Sequence, residues 1–273
     1  GEMSLEDFIG WTIFNRDAKV GEVVEYEDIP DYMEKALVSI EDKRFYQHHG
    51  VDWYRTAGAF VNMFVGMRNN FGGSTITQQL IKNLTGENGR TVSRKFYEIL
   101  NALNLEKFYS KNTIMESYLN TVYLGNGCYG IKTAAEKYFG KEVKNLNAAE
   151  SAVLAAITKA PYTYDPFLQF EDNIARQQYC LKCMYTEGDL TRDEYEEALD
   201  YEVILTNNPK FKGSEVKHNK DEEDNKEYTT EDVKEALYNS DNYSYYLDYV
   251  IDNVIEDLRE EYGLTANEAS KKV

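Results

Sequence analysis

Only three cysteines and four prolines occur in 273 residues. Three thiols cannot build a disulfide framework, and 17 glycines are too few for a collagen-like chain. Basic charge is short as well: 30 Lys and Arg stand against 48 Asp and Glu, a net charge of −18. A general nucleic-acid binder needs a basic face, so that class is excluded, although a local basic patch is not. No run of 18 apolar residues is present, so nothing in this sequence spans a bilayer unaided, and no signal or transit peptide is visible. The opening Gly1-Glu2-Met3-Ser4 reads as a cut end. Aromatics are plentiful, with 23 Tyr and 12 Phe. That load, within 42% apolar residues, excludes a disordered chain and suffices for one substantial core.

The patterning is mostly helical. Residues 11 to 28 read as a short β-hairpin turning at Asn15-Arg16-Asp17. Met33, Ala36, Leu37 and Ile40 then follow the spacing of one buried helical stripe. Thr75 and Gln78 have capping-box spacing ahead of Leu80, Ile81 and Leu84. Val92, Phe96, Ile99, Leu100 and Leu103 predict another buried stripe, and Ile131, Ala134, Ala135 and Tyr138 a third, ending at Gly140. Asn147 with Glu150 opens a helix apolar nearly all round, which belongs in the centre of a globule and stops at Pro161. Ile174, Gln178, Leu181 and Tyr185 lead to Gly188, and Thr191 with Glu194 caps a further helix. A mainly α domain over 11–205 is expected. Residues 215–235 then carry nine acidic and four basic side chains and read as a solvated connector. Leu247, Val250, Ile251, Val254 and Leu258 mark one more amphipathic helix, which must pack on the first domain or belong to another. Residues 206–273 are thus read as a connector and partial linker.

Four stretches could carry chemistry. Glu41 falls at a helix end, where the macrodipole disfavours negative charge and makes a carboxylate a keener base; equally, it could be a surface acid paired with Lys43 or Arg44. His48 and His49 lack the company of a metal cluster. Gly72-Gly73-Ser74-Thr75 leads into a helix, either as an ordinary cap or as an anion site using free N–H groups. Lys82, Arg90, Arg94 and Lys95 face only Glu87 as an intervening acid, a local reversal of charge sign. With Glu98 they form either a salt-bridged solvated face or a phosphate cradle with a carboxylate at its edge. Ala57 to Met67 suits a buried helix or partial insertion into a membrane interface. Cys180-x-x-Cys183 is a lone pair, too little for zinc, and reads with Cys128 as structural.

Taken in order, these segments closely resemble the family 51 glycosyltransferase domain of class A penicillin-binding proteins. E-D-x-x-F-x-x-H-x-G-x-D runs from Glu41 to Asp52. G-G-S-T-I-T-Q-Q-L-x-K-N runs from Gly72 to Asn83, and R-K-x-x-E is Arg94, Lys95 and Glu98. Lys111 to Asn120 resembles K-x-x-I-L-E-x-Y-L-N with Met115 for Leu, and Ala149 to Pro161 resembles an Ala-rich helix ending in K-A-P.

The resemblance implies a mainly α, lysozyme-like fold that polymerises lipid II by inverting displacement of polyprenyl pyrophosphate. It implies Glu41 as general base and Glu98 as second carboxylate. Lys82 and Arg90 would hold the pyrophosphate, with Phe45, Ser74, Gln78, Gln79, Arg94 and Lys95 around it, and Phe60, Val61, Phe64 and Val65 would touch the membrane. No cofactor is called for, and a divalent cation, Mg or Mn, stays open. The partners implied are lipid II, polyprenyl-pyrophosphate-linked glycan, the membrane surface and cell-wall synthesis proteins. The implied place is the outer face of the bacterial cytoplasmic membrane, with an N-terminal transmembrane anchor outside this sequence. A glycan hydrolase or lytic transglycosylase, or a non-catalytic lipid II-binding module, are the alternatives. The family's following transpeptidase leaves no K-T-G motif here, and Ser214-x-x-Lys217 reads as coincidence.

Overall fold

A computed structural model describes residues 23–56, 58, 73–85 and 92–216. The chain divides into two compact units, Thr12–Lys217 and a second made of Gly1–Trp11 with His218–Val273. The second unit lies outside the described residues, as do the amphipathic stripe from Leu247 to Leu258 and most of the expected hairpin.

Eight α-helices are described: α1 (Asp31–Glu41), α2 (Ile76–Thr85), α3 (Val92–Phe108), α4 (Lys111–Thr121), α5 (Ile131–Phe139), α6 (Ala148–Ile157), α7 (Phe170–Glu187) and α8 (Arg192–Asp200). Among the described residues there is no strand, only the isolated bridges His49–Val51 and Tyr123–Tyr129. The fold is mainly α, as expected.

Local chemistry sets the helix ends. Asn147 and Glu150 close a reciprocal capping box on α6, and Thr191 and Glu194 do the same on α8. α5 and α7 stop where Gly140 and Gly188 turn left-handed, at φ of 63° and 86°. All ten residues of α6 are buried, because its Ala, Val, Leu and Ile face neighbours on every side. α6 packs on α1 and α7, and α8 lies against α7 and α6, while α2 packs on α3 and α4. One apolar cluster joins both groups, with Met33 and Leu37 of α1, Ile76 and Leu80 of α2, Ile114 and Tyr118 of α4, and Val153 and Leu154 of α6. Burying a side chain of this size contributes about 1.5–3 kcal/mol, so this seam holds the two groups together.

Two expected faces turn out differently. On α3, Phe96 and Leu100 are exposed at 60% and 44%, while Glu98 and Ala102 are buried. The reason is steric: at Gly50 a Cβ would lie 2.4 Å from the Ala102 carbonyl oxygen. The loop after α1 therefore sits directly on the Ala102 side of α3, and Glu98, one turn earlier, shares that side. On α7 the buried residues are Asn173, Gln177, Cys180, Leu181, Cys183 and Met184, and Gln178 and Tyr185 are exposed. Buried amides dock this helix. Asn173 Nδ2 donates to the Tyr164 carbonyl at 2.8 Å, and Gln177 Nε2 to Ala149 at 3.4 Å. Apolar periodicity along the chain carries no trace of such polar contacts.

Beyond α8 the chain stays on the same body. The Glu215 N–H donates to the Gly140 carbonyl at 2.7 Å, and the Ser214 hydroxyl donates to that carbonyl at 3.1 Å.

Candidate active site

Glu41 is the last residue of α1, with its side chain 12% exposed. It is not paired with Lys43 or Arg44. Lys43 bridges to Glu187 at 2.7 Å, and Arg44 clasps Asp52 through Nε and Nη2. Three other elements reach Glu41 instead. From α2, Gln79 Nε2 donates to Oε2 at 3.1 Å. From α7, Arg176 Nη2 stands 3.6 Å from Oε1, its guanidinium 5.1 Å above the Tyr164 ring centroid. The Thr158 hydroxyl, just past α6, is 3.3 Å from Oε1 but sits only 2.8 Å from the Ala155 carbonyl, which takes its single proton.

The next residue, Asp42, is fully buried. Its Oδ2 accepts from the Ile76 N–H and from His48 Nε2, both at 3.0 Å, and Oδ1 lies 3.4 Å from Arg55 Nη1. This answers what the start of α2 does with its N–H groups. The Thr75 N–H donates to Gln78 Oε1 at 2.9 Å, the Gln78 N–H to Thr75 Oγ1 at 3.1 Å, and Ile76 to Asp42. The capping box forms as the spacing predicts, and the anion at this helix N-terminus is the protein's own Asp42. Those three N–H groups are therefore not open to a ligand. Thr75 Oγ1 also donates to the Gly50 carbonyl at 2.6 Å, keying the Gly-Gly-Ser-Thr loop to the loop after α1.

The second carboxylate, Glu98, is buried on α3 and ion-paired with Lys95, whose Nζ also donates to Ser74 Oγ at 2.9 Å. Ser74 precedes α2 at the same end as Gln79, so the Lys95–Glu98 pair meets the α2 end that engages Glu41. Lys82 is exposed on α2, three residues beyond Gln79 and hence on the adjoining turn of the same side.

The structure also separates expected ligand groups from supporting ones. Phe45 and Gln78 are fully buried. Phe45 packs edge-on to Tyr46 and His48 under Lys111, whose Nζ is 4.3 Å from its ring centroid, so it offers a ligand no surface. Gln78 is a helix cap. Arg90, Phe60, Val61, Phe64 and Val65 lie outside the described residues, and of Arg94 only the backbone in α3 is described. Sequence reasoning did not single out Arg176 or Thr158. The hydroxyl directly before Lys159-Ala160-Pro161 was the available signal for Thr158, but an Arg between two apolar rows of a helix carries none. No group of three or more His, Cys, Asp or Glu that could hold a metal occurs among the described residues.

The body is thus mainly α, with one carboxylate, Glu41, facing an amide and a guanidinium, and a second, Glu98, paired with a lysine that reaches the start of α2. The chain belongs to the transglycosylase family: residues 9–185 match the model described as Transglycosylase. It is 42% identical to penicillin-binding protein 1A of Aquifex aeolicus (strain VF5) over 192 residues, 70% of this chain and 26% of that protein. It is 44% identical to penicillin-binding protein 1F of Bacillus subtilis (strain 168) over 173 residues, 63% of this chain and 24% of that one. The chain thus spans about a quarter of the length of these curated relatives. A crystal structure of penicillin-binding protein 1A from Haemophilus influenzae aligns over 61% of this chain and 20% of that one at 24% identity, with a TM-score of 0.32, too low to bear on the fold. The family read from the five ordered motifs is borne out.

Proposed function

We propose that this chain is a peptidoglycan glycosyltransferase domain that polymerises lipid II into β-1,4-linked glycan. The observation that carries this reading is the tie between Glu41 and Gln79, which sets a carboxylate beside the turn of α2 that bears Lys82. Glu41 takes the proton of the acceptor sugar 4-hydroxyl as that oxygen attacks the anomeric carbon of the donor. The bond from that carbon to the polyprenyl pyrophosphate breaks, and the pyrophosphate leaves with the electron pair. Attack opposite an α-linked leaving group inverts the centre, so no covalent intermediate forms. Lys82, Arg90 and Arg94 meet the developing negative charge, with Lys95 and Ser74 at the edge by Glu98. Fixed cations beside a partly buried cleft are worth more than in open water.

In the same reading, 11–205 is the catalytic domain and the remainder leads towards further domains. Phe60, Val61, Phe64 and Val65 touch the membrane holding both substrates, on the outer face of the cytoplasmic membrane, where other cell-wall synthesis proteins work. No helix among the described residues is long and apolar enough to cross a membrane.

Labelled lipid II tests the reading. The chain should make long glycan, and Glu41→Gln should lower the rate by at least about 100-fold, the usual scale for losing a general base. Unimpaired polymerisation by that variant removes Glu41 from the role. Cleavage of preformed strands without use of lipid II overturns the polymerase reading itself.

A further inference from the structure

Tyr118 of α4 is a fully buried phenol whose hydroxyl donates to Gln79 Oε1 at 3.1 Å. Gln79 Nε2 in turn donates to Glu41 Oε2 at 3.1 Å. We propose that Tyr118 and Gln79 form a one-way hydrogen-bond relay that orients the Glu41 carboxylate and prevents Gln79 from capturing its proton. This rests on the reading of Glu41 as the base.

The direction of the relay follows from donor and acceptor chemistry. An ionised carboxylate can only accept, so the amide must present its NH2 to Glu41. Its carbonyl then faces Tyr118, which must donate. Burial, and then the nearby charge of Glu41, raise the Tyr118 pKa well above 10, so its proton is present at every working pH. Among the described residues the hydroxyl makes no other hydrogen bond. Once Glu41 has taken the substrate proton, a turned amide could offer its carbonyl to the new O–H and hold that proton in place. Turning it would leave the phenol proton buried without an acceptor, which is costly. Tyr118 therefore keeps the NH2 towards Glu41 in both protonation states, and the base can release its proton to solvent for the next cycle. The relay joins three of the motifs, through Glu41, Gln79 and Tyr118. It gives the motif tyrosine a task distinct from core packing.

Lipid II polymerisation by wild type, Tyr118→Phe, Gln79→Met and the double variant decides the matter. Tyr118→Phe keeps the ring, and a thermal melt checks that each variant folds. Tyr118→Phe should lower kcat roughly tenfold with KM within about twofold, since positioning is lost and binding is not. In the Gln79→Met background the same change should cost nothing further, because Tyr118 acts only through the amide. A purely structural tyrosine gives independent, additive losses, and that result, or an unchanged kcat, overturns the relay. If wild type makes no glycan, the polymerase reading fails separately. Hydrogen exchange of the Gln79 side-chain amide by NMR still judges the relay: exchange slowed in wild type and faster in Tyr118→Phe supports it, and equal rates refute it.

Discussion

Lys82 shows how a single residue can be tested apart from the fold. It is exposed on α2, so no core contact is lost when it is removed. Lys82→Ala should lower lipid II polymerisation at least about tenfold, through loss of charge stabilisation. The melting temperature should stay within about 2 °C, the range for surface substitutions in a domain this size. A large drop in melting temperature would make Lys82 a structural residue instead. The cysteines behave in the opposite way. All three are buried thiols outside any disulfide, and burial, the largest influence, pushes the Cys180 thiol up to about 12. A thiol held protonated is a poor nucleophile, in keeping with a packing role for Cys180.

At the scale of elements, Gly50 is the point on which three segments converge. Its φ is +79°, a Cβ there would meet the Ala102 oxygen at 2.4 Å, and its own carbonyl accepts from Thr75. Gly50→Ala combines left-handed strain with a backbone clash that no side-chain rotation relieves. It should cost about 2–4 kcal/mol, read as a lower urea midpoint. Activity should fall in the part of the population that remains folded, because the displaced α3 carries Glu98 and Lys95. A variant with wild-type stability would show that the loop and α3 do not press together. The same contact explains why α3 turns Phe96 and Leu100 outward against its apolar periodicity.

Across the whole molecule, the excess of acidic groups makes the response to low pH a test of the packed loops. Burial works to raise the Asp52 pKa, but the Arg44 hydrogen bonds, the Arg55 N–H and the Arg44 charge outweigh it and hold the carboxyl below its usual value. The folded value thus lies under the unfolded one, near 4. The stability this group adds is present in full above the unfolded value and is lost as pH falls through the folded one. Urea midpoints of the wild type should therefore decline from pH 5 towards pH 2. Asp52→Asn should begin lower at neutral pH and decline less over the same interval. Parallel declines would remove the Arg44–Asp52 clasp as a source of acid sensitivity.

The sequence by itself determined the helices, their caps and the order of the motifs, since these depend on neighbours three or four residues away. The stripe of Met33, Ala36 and Leu37, the box at Asn147 and Glu150, and the all-round burial of α6 were legible for that reason. Only the tertiary structure decided which side chains face Glu41, that Asp42 fills the anion place at the start of α2, and that Glu98 lies on the buried side of α3. A buried carboxylate is tolerated only where donors converge on it, and those of Glu41 and Asp42 come from distant elements. The separations from 41 to 79 and 176, and from 79 to 118, leave no periodic trace along the chain.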